Sequence, residues 1–100
     1  MEIFKNKENG VVTVSLIGRL DTPASQEIAQ EMDALKKEAD GVIVLDCSEL
    51  DYISSSGLRL FLTLRKTSAE KGGKVVIRGI SPSIRSVFMM TGFLNLFEIE

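Results

Sequence analysis

Histidine is absent from the 100 residues, and the single cysteine is Cys47. The lack of histidine removes the most common general base, the usual metal ligand and every Ser-His catalytic triad. A zinc site is not expected, because such sites draw most of their ligands from cysteine and histidine. One cysteine cannot form an internal disulfide, which fits a reducing cytoplasm. The composition therefore favours a binding or signalling domain over an enzyme.

Phosphate-binding loops and long apolar runs are missing as well. Neither G-x-G-x-x-G nor G-x-x-x-x-G-K-[ST] occurs in the sequence, so the standard glycine-rich phosphate loops are absent. No apolar run approaches the ~18 residues that a membrane span needs, and the N-terminus lacks the apolar stretch of a signal peptide. The net charge of −2 gives no reason to expect nucleic acid or membrane as a partner. We expect one cytoplasmic domain over residues 1–100.

Turn and capping residues divide the chain into eight elements. Asn-Gly at residues 9–10 lies between two apolar runs and predicts a hairpin. Asp21 followed by Pro23 predicts a helix start, and so does Ser81 followed by Pro82. The second helix is predicted over residues 57–71, and the strands over residues 3–7, 11–17, 42–45, 74–79 and 96–99.

The predicted order is ββαβαβαβ, an α/β fold with a mixed sheet and helices packed mainly on one face. The run VIVL at residues 42–45 is apolar without alternation, as in a central parallel strand that is covered on both faces. A loop is predicted over residues 49–53, between this strand and the second helix. The β-α-β crossovers are expected to be right-handed.

Three consecutive serines, Ser54, Ser55 and Ser56, precede Gly57 where the second helix is expected to begin. A helix start has free N–H groups and a partial positive charge, so it tolerates or attracts an anion. Ser54 or Ser55 can serve as the N-cap, whose removal costs about 1 kcal/mol. One capping serine is enough, so one of the remaining hydroxyls can be a phosphoacceptor, and phosphate would add about −1.5 to −2 charge there.

Other polar residues have simpler interpretations. Asp21 can cap the first helix, and Asp46 is expected to hold its loop through backbone N–H groups. Together with Asp51 they could be imagined as a Mg²⁺ cluster, but no other component of such a site is present. Cys47 is expected to be buried. Arg59 is expected to be a solvated charge near the serine run.

Two adjacent methionines, Met89 and Met90, lie late in the third predicted helix. Only one of them can face the core fully, and core packing is the interpretation we favour. An exposed methionine beside Phe93 would instead form partner surface.

The sequence resembles the STAS domain family, and in particular its stand-alone anti-sigma factor antagonists. Four segments carry the resemblance at consistent spacing over nearly the whole chain: GRLD at residues 18–21, VLDCS at 44–48, SSSGL at 54–58, and a third helix that ends in TGF at 91–93. The resemblance implies a single STAS domain.

In that family, the serine after the aspartate of D-S-[ST]-G-L is phosphorylated by the anti-sigma factor, which is itself a serine kinase. The matching residue here is Ser55, with Ser56 as the alternative, and Ser54 replaces the usual aspartate. The surface predicted for partner binding comprises Asp21, Ser54, Ser55, Ser56, Gly57 and Arg59. The resemblance implies that Asp21 lies on it, and Arg59 is near enough to Ser55 to contact a phosphate or an acidic partner.

The function implied by the resemblance is a bacterial partner switch. Unphosphorylated protein would bind the anti-sigma factor serine kinase and so release the sigma factor, and phosphorylation of Ser55 would lower this affinity. A PP2C-type phosphatase would reset the switch. The domain itself would catalyse nothing and need no cofactor, since ATP and Mg²⁺ would belong to the kinase.

Two alternatives remain open from the sequence. The chain could be a STAS regulatory subunit of a transporter or signalling complex that binds a nucleotide or anion without phosphorylation. It could also be a small enzyme with Ser55 as nucleophile, although the sequence offers no histidine, and no lysine close to Ser55, to act as base.

Overall fold

Asn9 and Gly10 form the turn of an N-terminal hairpin in the computed structural model, which describes residues 1–100. Both residues have positive φ, 52° and 78°, as a tight two-residue hairpin turn requires. The turn joins strand β1 (Glu2–Glu8) to strand β2 (Val11–Leu20) in antiparallel pairing. The predicted hairpin is therefore confirmed.

Three helix–strand units follow the hairpin and complete the predicted order ββαβαβαβ. Two short 3₁₀ turns, Lys36–Glu38 after the first helix and Phe93–Asn95 after the third, are added to it. The helices are α1 (Thr22–Leu35), α2 (Ser55–Glu70) and α3 (Pro82–Met90), and the remaining strands are β3 (Val42–Ile53), β4 (Lys74–Arg78) and β5 (Glu98–Ile99).

The five strands form one mixed sheet in the order β1-β2-β3-β4-β5. Strands β2 to β5 are parallel, and each new strand is added on the same side of the previous one. Right-handed crossovers in a single direction place all connecting helices on one face of the sheet. The predicted one-sided α/β architecture is confirmed, with β3 at the centre as expected.

The core lies between the helices and the sheet. Along β2 the side chains of Val12, Val14 and Leu16 are buried, and those between them are partly exposed, which is the alternation of a sheet with one covered face. Phe61 of α2 and Phe88 of α3 are fully buried and meet edge to face, with ring centroids 6.4 Å apart. None of the helices combines the length and apolar character needed to cross a membrane.

The loop predicted over residues 49–53 is wrong. Strand β3 continues through this segment to Ile53 and pairs with the end of β2, after irregularities in register. Leu50 and Ile53 are buried in the core, and a bulge lets both side chains reach it despite their odd spacing. Helix α2 consequently begins at Ser55 rather than at Gly57.

The prediction that a methionine of this pair packs into the core is also wrong. Met89 is 63% exposed and Met90 is 82% exposed. Helix α3 buries Ile84 and Phe88, and at about 3.6 residues per turn the two positions after Phe88 point away from that side. The last strand is shorter than predicted, because Leu96 still has helical backbone angles as the C-cap of the 3₁₀ turn and the strand begins only at Glu98.

Candidate functional site

Three helices begin at the same edge of the sheet, where the parallel strands β2, β3 and β4 end. Each helix has a polar N-cap whose side-chain oxygen accepts a hydrogen bond from the backbone N–H three residues on. The caps are Asp21 at 2.9 Å, Ser54 at 3.2 Å and Ser81 at 3.2 Å. The three helix starts therefore form one row along this edge.

The start of α2 is tied to the end of β2. The Ser54 N–H donates to the carbonyl of Leu20 at 2.8 Å, and the Ser54 hydroxyl accepts from the N–H of Gly57. Gly57 itself is buried, and a Cβ at this position would lie 2.8 Å from Cγ of Leu20 and 3.0 Å from Cγ1 of Ile53. Ser54 is therefore the capping serine. Gly57 lets α2 pack closely on Leu20 and Ile53, so it shapes the surface from beneath and does not touch a partner itself.

Ser55 and Ser56 occupy the first two helical positions of α2. The side chain of Ser55 is exposed and that of Ser56 is partly exposed. Neither hydroxyl takes part in a hydrogen bond within the chain, unlike that of Ser54. Their backbone N–H groups belong to the first turn, where N–H groups have no carbonyl partner inside the helix. The exposed hydroxyl of Ser55 can therefore be reached by another protein. The free N–H groups beside it can bind an anion, such as a phosphate on that hydroxyl.

Arg59 and Asp21 are the remaining residues of the predicted binding surface. Arg59 is exposed one turn further along α2, and Asp21 is half-buried at the start of α1. No ion pair of the chain involves either residue. The structure thus brings the six residues of the predicted binding surface to one edge, with Gly57 beneath the surface.

Two residues of this edge were missed by the sequence analysis. Arg19 and Tyr52 are register partners on β2 and β3, and the Arg19 guanidinium carbon lies 4.5 Å from the centre of the Tyr52 ring. Tyr52 belongs to the segment that was predicted to be a loop. Only the register between β2 and β3 would have identified the pair, and no local sequence pattern specifies that register.

Asp46 is engaged within the fold. Its carboxylate accepts hydrogen bonds from the N–H and the hydroxyl of Ser48, at 3.0 and 2.7 Å, and from the Arg78 guanidinium at 3.2 Å. Burial alone raises the pKa of Asp46, but the bonds from Ser48 and Arg78 outweigh it and lower the pKa. Asp46 is thus held by a backbone N–H, as expected, and the structure brings no group of acidic residues together that could hold a metal ion.

Cys47 is fully buried, as expected. Burial raises the pKa of its thiol from 9.0 to about 12, with a further contribution from the neighbouring Asp46 carboxylate. The thiolate is the reactive form of cysteine, so this side chain is inert at neutral pH and contributes to packing.

Relatives of known class match this chain over nearly all of its length. The protein BtrV of Bordetella bronchiseptica is 31% identical over 99 residues, which cover 99% of this chain and 85% of BtrV. The anti-sigma F factor antagonist of Paenibacillus polymyxa is 29% identical, with 99% and 86% of the two chains covered.

Solved structures share the fold. The Bacillus cell fate determinant SpoIIAA, solved in its phosphorylated form, superimposes with a TM-score of 0.76 at 21% identity and covers 99% of this chain and 91% of SpoIIAA. The STAS domain family matches residues 3–100. Since the match spans almost every element described above, the chain belongs to the STAS domain family.

Proposed function

We propose that this protein is an anti-sigma factor antagonist that acts as a phosphorylation-controlled switch. In its unphosphorylated form it binds an anti-sigma factor serine kinase through the edge that contains Asp21, Ser55 and Arg59. Relatives named as anti-sigma factor antagonists support the class of function. The observation that carries the mechanism is the exposed, unbonded hydroxyl of Ser55 at the start of α2.

Ser55 is the best placed of the three serines. The Ser54 hydroxyl is half-buried and already serves as the cap of α2, so a phosphate there would displace the bond to Gly57. Ser56 is only partly exposed and is the second choice. A phosphate on Ser55 would lie beside free N–H groups at the positive end of the helix dipole, so the fold tolerates it.

Loss of partner affinity follows from the added charge. Phosphorylation adds about −1.5 to −2 charge at pH 7 to a surface shaped for a neutral hydroxyl. An unpaired charge that is desolvated at an interface costs several kcal/mol, or about 2–5 when one member of a buried pair is missing. The affinity for the kinase would therefore fall by about thirtyfold or more.

The remaining chemistry belongs to partners. The anti-sigma factor kinase binds ATP and Mg²⁺ and transfers the phosphoryl group to Ser55. A PP2C-type phosphatase removes it. This chain supplies the acceptor hydroxyl and the binding surface. It needs no cofactor and catalyses no reaction itself.

Phosphorylation can be tested by mass spectrometry. The chain is incubated with ATP and each candidate anti-sigma factor kinase of the same organism, and its intact mass is measured. A single addition of ~80 Da, the mass of one phosphoryl group, is expected to map to Ser55, to disappear in Ser55→Ala and to persist in Ser56→Ala. A chain that no kinase modifies, but that binds a nucleotide or anion, would instead favour a regulatory subunit of a transporter.

The charge switch is tested separately by binding. Ser55→Asp is expected to weaken kinase binding at least tenfold and to leave thermal stability nearly unchanged. The matched control is Ser83→Asp, since Ser83 is also exposed in the first turn of a helix, and this variant is expected to bind as wild type. Equal affinities of wild type and Ser55→Asp would contradict the mechanism.

A further inference from the structure

The Arg19–Tyr52 pair stands on a part of the sheet where only two strands are present. Strand β1 pairs with β2 only as far as Ile17, and β4 pairs with β3 only as far as Asp46. Beyond these points β2 and β3 continue together and carry Arg19 opposite Tyr52. Arg19 is exposed and Tyr52 is 41% exposed. The pair therefore forms a small projecting platform of one guanidinium and one aromatic ring.

This platform borders the surface proposed for the kinase. Leu20, the residue after Arg19, accepts the hydrogen bond from Ser54 at 2.8 Å that ties α2 to β2. Tyr52 precedes Ser55 by three residues along the same chain segment. Leu20 and Ile53 are buried on the helix side of the sheet, so the neighbouring side chains of Arg19 and Tyr52 lie on the opposite face. A partner at the start of α2 reaches the platform by extending around the ends of β2 and β3.

The charge of Arg19 is not used within the chain. Arg78 pairs with Asp46, and Arg65 donates to the carbonyl of Leu96, whereas no ion pair or hydrogen bond of the structure involves the Arg19 guanidinium. The aromatic ring nevertheless contacts this group in a cation–π arrangement, which favours one orientation of the guanidinium. A charged group that is already oriented loses less conformational entropy when it binds a partner.

We propose that Arg19 and Tyr52 form a specificity contact that binds a carboxylate side chain of the anti-sigma factor next to Ser55. The planar guanidinium matches a carboxylate through two parallel hydrogen bonds, and tyrosine and arginine are the residue types that contribute most at the centres of protein interfaces. The proposal rests on the function proposed above.

Binding affinities of variants test this contact. The dissociation constant is measured without ATP, against the anti-sigma factor that binds the wild-type chain. Arg19→Gln is expected to raise it about tenfold, equivalent to ~1.4 kcal/mol, and to reduce its dependence on salt. Arg19→Lys is expected to recover only part of the affinity, because lysine keeps the charge but not the fork of donors. Tyr52→Leu is expected to weaken binding severalfold.

Two controls separate recognition from stability. Arg85→Gln removes an arginine of α3 that is also exposed and has no ion pair, and it is expected to bind as wild type. The thermal midpoints of the Arg19 variants are expected to stay close to that of wild type, whereas a purely structural role for the pair would lower them without changing the affinity of the folded protein.

The outcomes that overturn the proposal are distinct. Wild-type affinity in Arg19→Gln, with the wild-type chain still binding its anti-sigma factor, would refute the contact and leave the proposed function standing. A loss that appears only when ADP, which cannot phosphorylate Ser55, is added would show that Arg19 binds nucleotide phosphate instead of a carboxylate. A wild-type chain that binds no anti-sigma factor would refute the proposed function and this contact with it.

Discussion

Helix α2 begins differently from α1 and α3, although all three start at the same edge of the sheet. Helices α1 and α3 have proline in the first turn, Pro23 and Pro82, which fixes φ and removes an N–H group that would lack a partner. Helix α2 has Ser55 and Ser56 at the corresponding positions. Its first turn therefore keeps its donors and adds two hydroxyls that the fold does not use.

The third helical position shows a second difference. It is Ala24 in α1, Ile84 in α3 and Gly57 in α2, and only the glycine allows the helix to lie directly against Leu20. Structural demands at the start of α2 are thus met by the cap and the glycine alone. The fold thus makes no use of the Ser55 hydroxyl, which supports the acceptor role proposed for it.

The largest expected effect comes from filling the space at Gly57. In Gly57→Ala the new methyl group would lie 2.8 Å from the Leu20 side chain, so we expect a loss of about 1–3 kcal/mol in the free energy of unfolding, even though alanine is the better helix former by ~1 kcal/mol. Urea unfolding measures the change. Ser56→Ala is the neighbouring control and should change stability by less than ~0.5 kcal/mol. An unchanged urea midpoint in Gly57→Ala would show that α2 is not packed this closely.

Removal of the caps is expected to have the next largest effect. Asp21→Ala and Ser54→Ala should each lower the free energy of unfolding by about 1 kcal/mol, because a backbone N–H loses its acceptor. Ser55→Ala should change it by less than ~0.5 kcal/mol. Denaturant unfolding of the three variants provides the comparison, and a loss in Ser55→Ala as large as that in Ser54→Ala would assign the cap to the wrong serine.

A charged cap at α2 tests the difference between the aspartate cap of α1 and the serine cap of α2. Ser54→Asp keeps a hydrogen-bond acceptor and places a negative charge at the positive end of the helix dipole, so we expect a gain of about 0.3–1 kcal/mol at low ionic strength. The gain should shrink in high salt, because exposed charges are screened. Thermal melts at low and high salt measure it, and a destabilised Ser54→Asp would argue against a simple capping role.

The smallest effect concerns pH and the contact between Asp46 and Arg78. Since the pKa of Asp46 is lowered in the folded state, its stabilisation is present above the ordinary value of 3.8 and is lost as the pH falls through the lowered value. Asp46→Asn should cost at most about 1 kcal/mol near pH 7, because the pair is partly exposed, and the difference from wild type should fade in acid. Unfolding measured from pH 7 to pH 2 tests this, and Arg78→Gln should reduce the same acid dependence.

Local chemistry explains what the sequence predicted correctly. Asn9-Gly10, Asp21 with Pro23, and Ser81 with Pro82 each favour one backbone geometry within a few residues, and all three predictions were confirmed. The order of the elements and their one-sided packing followed, because right-handed crossovers leave few arrangements open.

The errors have a common origin in contacts between distant segments. Residues 49–53 look like a loop, yet they form a strand because Gly18 to Leu20 offer hydrogen bonds and Leu50 and Ile53 can enter the core. Arg19 and Tyr52 meet only because this pairing places them opposite each other. Burial of Met89 was misjudged because the packing angle of α3 is set by Phe88 and its partners.

The amino-acid sequence by itself determined the elements, their order, the caps and the unusual serine run, since each depends on residues close together in the chain. Only the tertiary structure decided which serine is the cap, where α2 begins and what surrounds Ser55. The N–H of Ser54 donates to the carbonyl of Leu20, which lies 34 positions earlier in the chain. Strand register and close packing set that contact, because they pair buried backbone N–H and C=O groups and exclude water. They act between segments that are far apart in the sequence, so no local pattern predicts them.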